Sequence, residues 1–202
     1  MRYARLLQIL GANAVLIFLC SCEELETAHQ SASRAARTAG DAVMAALPLP
    51  TPAGYWNGDG VSGSPRIVVH LDEQKAYFYK GKRLVGESTV STGKPGFSTP
   101  PGRYRVIRKQ KDHVSSAFGD YIDSEGNIIK TNIDVRKDRK PKGTRFDGAR
   151  MPYCMHFNGG YAMHEGYVPK YAASHGCIRL PREMARHFFN AARIGTPLIV
   201  KQ

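Results

Sequence analysis

Several familiar signals are missing from this chain of 202 residues. It contains no internal repeat, and its basic residues, 29 Lys and Arg against 17 Asp and Glu, are scattered rather than gathered into an aromatic-interleaved patch. Its cysteines and histidines also lack the Cys-x-x-Cys and His-Glu-x-x-His spacings of common zinc sites. These absences argue against a repeat protein and a familiar zinc fold, and we expect no nucleic-acid partner.

A long uninterrupted apolar run is missing as well. Arg2 and Arg5 precede a largely apolar stretch, 6–22, which holds Gly11 and Asn13 and is short for a membrane span. A charged start followed by such a stretch is typical of a secretory signal, although a retained anchoring helix fits the same pattern. In both cases we expect the remainder of the chain to leave the cytoplasm.

The apolar stretch ends in Leu19-Cys20-Ser21-Cys22, which resembles a bacterial lipoprotein signal. By that resemblance Cys22 is the lipid-modified first residue of the mature chain, although Cys20 is unusual at its position. We therefore expect an exported lipoprotein, anchored to a membrane on the periplasmic side of the cell envelope. The exported part then keeps Cys154 and Cys177 as its two thiols.

The composition divides the chain into three parts. Residues 1–22 form the expected lipoprotein-type signal peptide. Residues 23–64 are first rich in Ala and then rich in Pro and Gly, which is typical of a tether. The folded domain is expected over 65–202, where the pattern changes to short apolar runs separated by turns.

The folded part is predicted to be mainly β. Ile67–Leu71, Ala76–Tyr79 and Leu84–Val90 favour a β-meander, and further strands are expected near Tyr104–Ile107, 153–157, 160–164 and 198–200. Pro181 opens the clearest helix, whose apolar face carries Met184, Ala185, Phe188, Phe189 and Ala192. Residues 110–150 are polar and turn-rich, and we predict a long loop there with a functional or mobile role.

Cys177 is the residue best suited to nucleophilic chemistry. A free thiol is only a few per cent thiolate at neutral pH, so a catalytic cysteine needs a neighbouring base or cation. His164 and His175 are candidates for the base, and Gly176 allows unusual backbone dihedrals or a close approach by a ligand. Backbone N–H groups around Gly176 and Cys177 can form an oxyanion hole, which completes the requirements of Cys–His acyl transfer.

These residues carry a resemblance to a known family. Ser174-His175-Gly176-Cys177-Ile178-Arg179-Leu180-Pro181 resembles the signature of the L,D-transpeptidase (YkuD-type) catalytic domain, and Ala162-Met163-His164-Glu165-Gly166 resembles its second element. Segments 91–96, 99–102 and 151–153 resemble the "TG…TPxG" and "MPY" pieces of the same domain. The resemblance covers about 65–201, with 119–149 poorly matched, and it implies a YkuD-like β-sandwich or barrel-like fold with one or two helices.

The resemblance also implies a reaction and its residues. Cys177 would attack a peptidoglycan tetrapeptide stem, release D-Ala as a thioester forms, and pass the acyl group to an amine of a second stem or of a wall-attached protein. His164 would be the general base, and His175 and Gly176 would supply backbone donors to the oxyanion hole. Ser174, Arg179 and Tyr153 are expected to contact substrate, with Ser174 also supporting the turn. No cofactor or metal is expected.

Three alternatives stay open at this point. Water could resolve the same acyl-enzyme, giving an L,D-carboxypeptidase or an amidase. The protein could be a non-catalytic lipoprotein that binds the wall through its basic surface. Cys154 could be a buried apolar residue or a disulfide partner of Cys177, or it could belong to a zinc site with His156, His164, His175 and Cys177.

Overall fold

The computed structural model describes residues 53–169 and 171–202, which form two β-sheets and one α-helix. The apolar segment 1–22, the expected lipidation site Cys22 and the tether up to residue 52 lie outside the described residues. The strands are β1 (Gly54–Trp56), β2 (Pro65–His70), β3 (Lys75–Lys80), β4 (Arg83–Thr89), β5 (Gly102–Arg105), β6 (Arg108–Ile122), β7 (Ile128–Asp134), β8 (Arg145–Asn158), β9 (Tyr161–Glu165), β10 (Ile178–Leu180) and β11 (Pro197–Lys201). The helix α1 spans Arg182–Ala191.

The mainly β fold class predicted from the sequence is confirmed. One sheet has the order β1-β4-β3-β2-β11-β5, and the other has the order β10-β9-β8-β6-β7. The predicted meander is β2-β3-β4, with antiparallel neighbours throughout. Ile67, Val69 and Phe78 are fully buried in the core, which accounts for the apolar alternation that the sequence displays there. Within the described part of the chain, no helix has the length and hydropathy of a membrane span.

A short strand precedes the segment in which the folded domain is expected. Residues 54–64 are assigned to the tether by their Pro and Gly content, yet Gly54–Trp56 pairs antiparallel with β4. The Trp56 ring contacts Phe78 at 5.3 Å and Phe188 at 6.0 Å between centroids. A single large aromatic residue therefore fixes a short strand that a composition argument overlooks.

The predicted loop at 110–150 is wrong. Most of this segment belongs to β6, β7 and the first part of β8, which are long antiparallel strands of the second sheet. Their apolar pattern is weak because many residues of β6 and β7 are exposed and only a small group, including Tyr121, Ile122 and Ile133, is buried. Register shifts between Val114 and Gly119 further disturb the alternation that would identify a strand.

Helix α1 confirms the predicted helix after the Cys177 motif. Pro181 stands at its N-cap, where a missing N–H costs no helical hydrogen bond. Met184, Ala185 and Phe188 are buried against the sheets, and the chain then turns at Gly195 into β11. The helix thereby closes the core directly behind the strand that follows Cys177.

Replacing Phe188 by Ala is expected to lower the free energy of unfolding by about 3–5 kcal/mol. Its side chain is fully buried and contacts Phe78 at 5.1 Å between ring centroids, so truncation leaves a cavity at the junction of helix and sheet. Urea unfolding of the full chain measures the change. The matched control is Ile194→Ala, since Ile194 is 67% exposed and its loss should alter stability by less than about 0.5 kcal/mol.

Candidate active site

The turn that carries Cys177 is held by the side chain of Ser174. The Ser174 hydroxyl donates to the Cys177 carbonyl at 2.5 Å and accepts from the Gly176 N–H at 3.0 Å. Gly176 has a φ of +111°, and a Cβ at this position would lie 2.6 Å from the Tyr161 ring. Both the backbone conformation and the close contact require glycine, so the Ser-x-Gly-Cys sequence fixes the position of the thiol.

A second segment of the chain fastens the same turn. The Thr99 hydroxyl donates to the Gly176 carbonyl at 2.8 Å and accepts from the Gly93 N–H at 2.9 Å. Ser91 and Arg179 exchange backbone hydrogen bonds of 3.0 and 2.9 Å. The "TG…TPxG" segment is therefore a clamp on the Cys177 turn. Sequence reasoning recognised this motif but assigned no role to Thr99.

Cys177 lies half-buried against the β8–β9 hairpin. Its thiol donates to the Gly160 carbonyl at 3.8 Å, and the Ala162 backbone amide faces the sulfur. Burial raises the pKa of Cys177 above its ordinary value, while the Ala162 amide and the Arg179 guanidinium act in the opposite direction. Cys177 is thus a neutral thiol at rest, with two groups beside it that favour charge on the sulfur.

His164 is a buried, neutral imidazole with one defined tautomer. Its Nδ1 lies 2.6 Å from the backbone carbonyl of Glu165, which can only accept, so Nδ1 carries the proton and Nε2 carries the free lone pair. Burial lowers the pKa of His164 to about 4, with the positive charge of Arg179 acting in the same direction. In the parallel β9–β10 ladder His164 stands opposite Arg179, which follows Cys177 by two residues. It is therefore preset to accept a proton.

The ring of His175 is held away from this pair. It lies between two phenylalanine rings. The Phe97 ring is 4.7 Å away between centroids and nearly perpendicular to it, with an interplanar angle of 87°. The Phe118 ring is 4.9 Å away and stacked on it, with an interplanar angle of 14°. Burial lowers the pKa of His175, and Lys94 contributes in the same direction. The His175 side chain is therefore packed between two aromatic rings, whereas the His164 ring is held by the Glu165 carbonyl. Phe118 was missed, because it lies in the segment predicted to be a loop.

The backbone donors of the turn differ in their hydrogen bonding. The Gly176 N–H donates to the Ser174 hydroxyl. Within the described residues, the N–H groups of His175 and Cys177 have no hydrogen-bond acceptor. The Ser174 hydroxyl thus holds the Gly176 N–H in this structure, and a role of Gly176 in an oxyanion hole stays a prediction. The N–H groups of its two neighbours are available for that task.

The three residues expected to contact substrate have different environments. Arg179 is partly buried and makes no ion pair with a carboxylate among the described residues, so its guanidinium is free to bind one. Ser174 is 1% exposed, and its hydroxyl is used within the turn. Tyr153 packs against Phe189 of α1 with the ring centroids 5.8 Å apart. The Ser174 hydroxyl and the Tyr153 ring are thus engaged within the protein, and Arg179 makes no ion pair among the described residues.

Cys154 lies beside the site as a buried, reduced residue. It is fully buried and belongs to a small cluster with Met151 and Ala162, against which Cys177 packs. Burial raises the pKa of Cys154 to about 12. Both Cys154 and Cys177 are free thiols in this structure.

The zinc alternative needs a different set of residues from the one inferred from sequence. Of the five residues considered, Cys154 and His156 do converge, but the third member of their cluster is His113. His175 lies in its aromatic sandwich instead. His113 was missed because it stands on β6, about forty residues before its partners, in the segment read as a loop.

Acidification from pH 7 to pH 5 is expected to destabilise the protein. Burial lowers the pKa of both His156 and His164 to about 4, whereas an unfolded histidine titrates near pH 6.5. Between these values the unfolded chain binds more protons, so stability falls as the pH falls. His164 alone should contribute on the order of 2 kcal/mol over this interval. Urea unfolding at pH 7, 6 and 5 measures the loss, which should shrink in His164→Gln but persist in the control His70→Gln.

Comparison with known proteins gives a consistent result. Residues 64–200 match the family model of the L,D-transpeptidase catalytic domain (YkuD). A curated relative, described as probable L,D-transpeptidase 3 of Mycobacterium tuberculosis, is 27% identical over 146 residues, which are 71% of this chain and 48% of that protein. The chain thus spans about half the length of this relative.

Solved structures share the fold. An L,D-transpeptidase from Mycobacterium smegmatis aligns with a TM-score of 0.52 and 20% identity, covering 69% of this chain and 59% of that one. The L,D-transpeptidase of Xylanimonas cellulosilytica aligns with a TM-score of 0.51 and 21% identity, covering 80% of this chain and 68% of that one. At these identities the likeness establishes the common architecture.

Proposed function

Because the chain belongs to the L,D-transpeptidase (YkuD) catalytic domain family, we propose that it is a peptidoglycan L,D-transpeptidase whose nucleophile is Cys177. The observation that carries the proposal is that a clamped thiol and a base of fixed tautomer stand on two neighbouring segments of one sheet. Cys177 immediately precedes β10, and His164 lies on the adjacent β9 with Nδ1 bonded to the Glu165 carbonyl. A Cys–His pair in this arrangement is suited to acyl transfer.

In the first half-reaction, the Cys177 thiol gives its proton to Nε2 of His164 while the sulfur attacks the carbonyl at the L-centre of the diaminopimelate residue. The oxygen of the tetrahedral intermediate accepts from the free N–H groups of His175 and Cys177. His164 then returns the proton to the departing nitrogen as the amide bond breaks. D-Ala leaves, and a thioester remains on the enzyme.

In the second half-reaction, an amine of a second stem attacks the thioester. His164 takes a proton from the attacking amine and gives one to the leaving sulfur, so that the free thiol is restored and a 3-3 cross-link is formed. Both groups are neutral at rest. Each half-reaction therefore moves one proton onto His164 and one proton off it, and no thiolate–imidazolium pair has to persist between turnovers. The partly buried Arg179 supports binding of a stem carboxylate beside the thiol.

Product analysis with purified disaccharide-tetrapeptide tests the reaction. We expect equal amounts of free D-Ala and cross-linked dimer, measured by liquid chromatography and mass spectrometry. Release of D-Ala without a dimer would replace the transpeptidase with a carboxypeptidase, because water would then be the acceptor. If neither product forms, while the chain still binds isolated cell walls, the non-catalytic wall-binding alternative is the better account.

We also propose that the protein is exported and that Cys22 is lipidated, which places the catalytic domain on a tether at a membrane of the cell envelope. The charged start, the short apolar stretch and the Leu19–Cys22 motif support this proposal. Metabolic labelling with a fatty acid should mark the wild-type chain and not Cys22→Ser. Equal labelling of Cys22→Ser, or none of the wild type, would refute the anchor at this residue.

A further inference from the structure

A cluster outside the catalytic pair brings three metal-binding side chains together. His113 lies on β6, Cys154 and His156 lie on the neighbouring β8, and one ligand atom of each falls within 4.8 Å of the others. The centroids of the two imidazole rings are 5.0 Å apart, and the ring planes are nearly perpendicular, at 84°. Cys154 and His156 are buried, and His113 is partly exposed, so the cluster has both an enclosed side and an approach from solvent.

An unusual backbone conformation accompanies this convergence. In a regular strand Met151 and Cys154, three residues apart, would point to opposite faces. Tyr153, between them, has a φ of +55°, which is a rare conformation for an aromatic residue. Met151 and Cys154 instead share one cluster, and His113 stands opposite Met151 in the ladder. The break in β8 therefore accounts for the presence of the thiol beside the two imidazoles.

One ring nitrogen in the cluster has no hydrogen-bond partner of ordinary geometry among the described residues. His156 is 5% exposed, and its Nε2 lies 2.8 Å from the Arg108 guanidinium, which can only donate. Its Nδ1 is buried and makes no hydrogen bond of ordinary geometry, although the Gly159 backbone lies near enough to the ring to raise its pKa slightly against the effect of burial. Buried polar atoms are seldom left unpaired, and such an atom in a native structure asks for an unplaced water or ion.

We propose that His113, Cys154 and His156 form a binding site for a thiophilic divalent transition-metal ion of the Zn²⁺ class, separate from the nucleophile Cys177. One thiolate and two imidazoles are a ligand set that such ions favour. Ligand atoms around a tetrahedral Zn²⁺ lie about 3.3–3.6 Å apart, as the usual Zn–N and Zn–S bond lengths require. Rotation of the partly exposed His113 ring can supply the approach of about 1 Å that this needs.

The protonation states fit this proposal at neutral pH. Burial lowers the pKa values of His113 and His156, and the neutral imidazole is the form that binds a metal. The thiol of Cys154, whose pKa burial raises to about 12, must release its proton to the solvent when the metal binds. The resulting thiolate offsets part of the metal's charge in an otherwise apolar cluster.

Arg108 is the one group that we expect to oppose the ion directly. Its guanidinium donates to Nε2 of His156, and a metal on Nδ1 moves the ring proton to Nε2. Since Arg108 is exposed, its side chain can turn to solvent when this happens. Replacing Arg108 by Met removes the opposing cation, so Arg108→Met should bind the metal severalfold more tightly than the parent.

Titration of the full chain with Co²⁺ and Zn²⁺ tests the site. Cys20→Ser and Cys22→Ser are included in every protein, because these two N-terminal cysteines could bind metal themselves. The parent should bind one Co²⁺ with a thiolate-to-cobalt charge-transfer band, which Zn²⁺ displaces, and Zn²⁺ should raise its melting temperature. Cys177→Ala should behave like the parent.

The ligand variants distinguish the proposed site from the catalytic thiol. Cys154→Ser should lose the charge-transfer band, and His113→Gln, which changes a partly exposed residue and should retain the fold, should lose at least about tenfold in affinity. The proposal is overturned if the parent shows no band at millimolar Co²⁺. It is equally overturned if Cys177→Ala abolishes the band while Cys154→Ser retains it, or if His113→Gln binds as tightly as the parent.

Discussion

Replacing Cys177 by Ala is expected to reduce the release of D-Ala from a tetrapeptide stem by a factor on the order of 10⁴ or more. Removing a nucleophile leaves only the contribution of substrate binding and oxyanion donors, and losses of this size are usual for such variants. The turn should persist without the thiol, because it is held by Ser174 and Thr99 through bonds to backbone atoms. Turnover of disaccharide-tetrapeptide, measured as free D-Ala, gives the rate.

The matched control for this prediction is Cys154→Ala. Cys154 is fully buried next to the nucleophile and has a pKa near 12, so it is unsuited to attack a substrate. This variant should lose stability, as a shortened core residue does, and retain turnover at a temperature where it is folded. If turnover survives in Cys177→Ala and disappears in Cys154→Ala, then Cys154 is the nucleophile and the assignment of Cys177 is wrong.

Replacing His164 by Gln should lower the rate of acyl-enzyme formation by about 10²–10⁴, the usual contribution of a general base. Glutamine keeps much of the volume and can still donate toward the Glu165 carbonyl, but it has no basic nitrogen to accept the Cys177 proton. A rate within threefold of the parent would remove His164 from the mechanism. The partly exposed His70→Gln is the control, and its rate should be unchanged.

The pH profile separates loss of a base from loss of structure. The pKa of His164 is about 4, so the parent should keep its base unprotonated at pH 6 and lose activity only at more acidic pH. In His164→Gln the thiolate must form without help, so the residual rate should rise about tenfold per pH unit below the raised pKa of Cys177. A variant whose low rate is independent of pH would indicate a structural defect instead.

The sequence predicted the parts of the site that depend on short-range chemistry. Cys177, its Gly176 turn and the upstream His164 stand in two compact motifs, and the structure places them on adjacent elements. The contacts that the sequence could not predict are those between residues far apart along the chain. Phe118, which packs on His175, comes from a strand whose many exposed residues hide its alternation.

The same reasoning explains the smaller errors. The hydrogen bond from the Gly176 N–H to the Ser174 hydroxyl was not foreseen, because side-chain hydrogen bonds of this kind cannot be predicted from residue types. Strand β1 was not predicted, because the Pro and Gly residues around Trp56 are typical of a linker. A composition argument gives little weight to one aromatic residue, even when its ring anchors the segment. In both positions a local rule was overridden by one specific contact.

Mass spectrometry of the acid-quenched enzyme with disaccharide-tetrapeptide tests the central claim most directly. We predict a covalent adduct with the mass of the donor minus D-Ala, which tandem fragmentation locates on the peptide containing Cys177. Hydroxylamine should remove it, as expected for a thioester. D-Ala release without any adduct on Cys177, or an adduct located on Cys154, would contradict the assignment of Cys177 as the nucleophile.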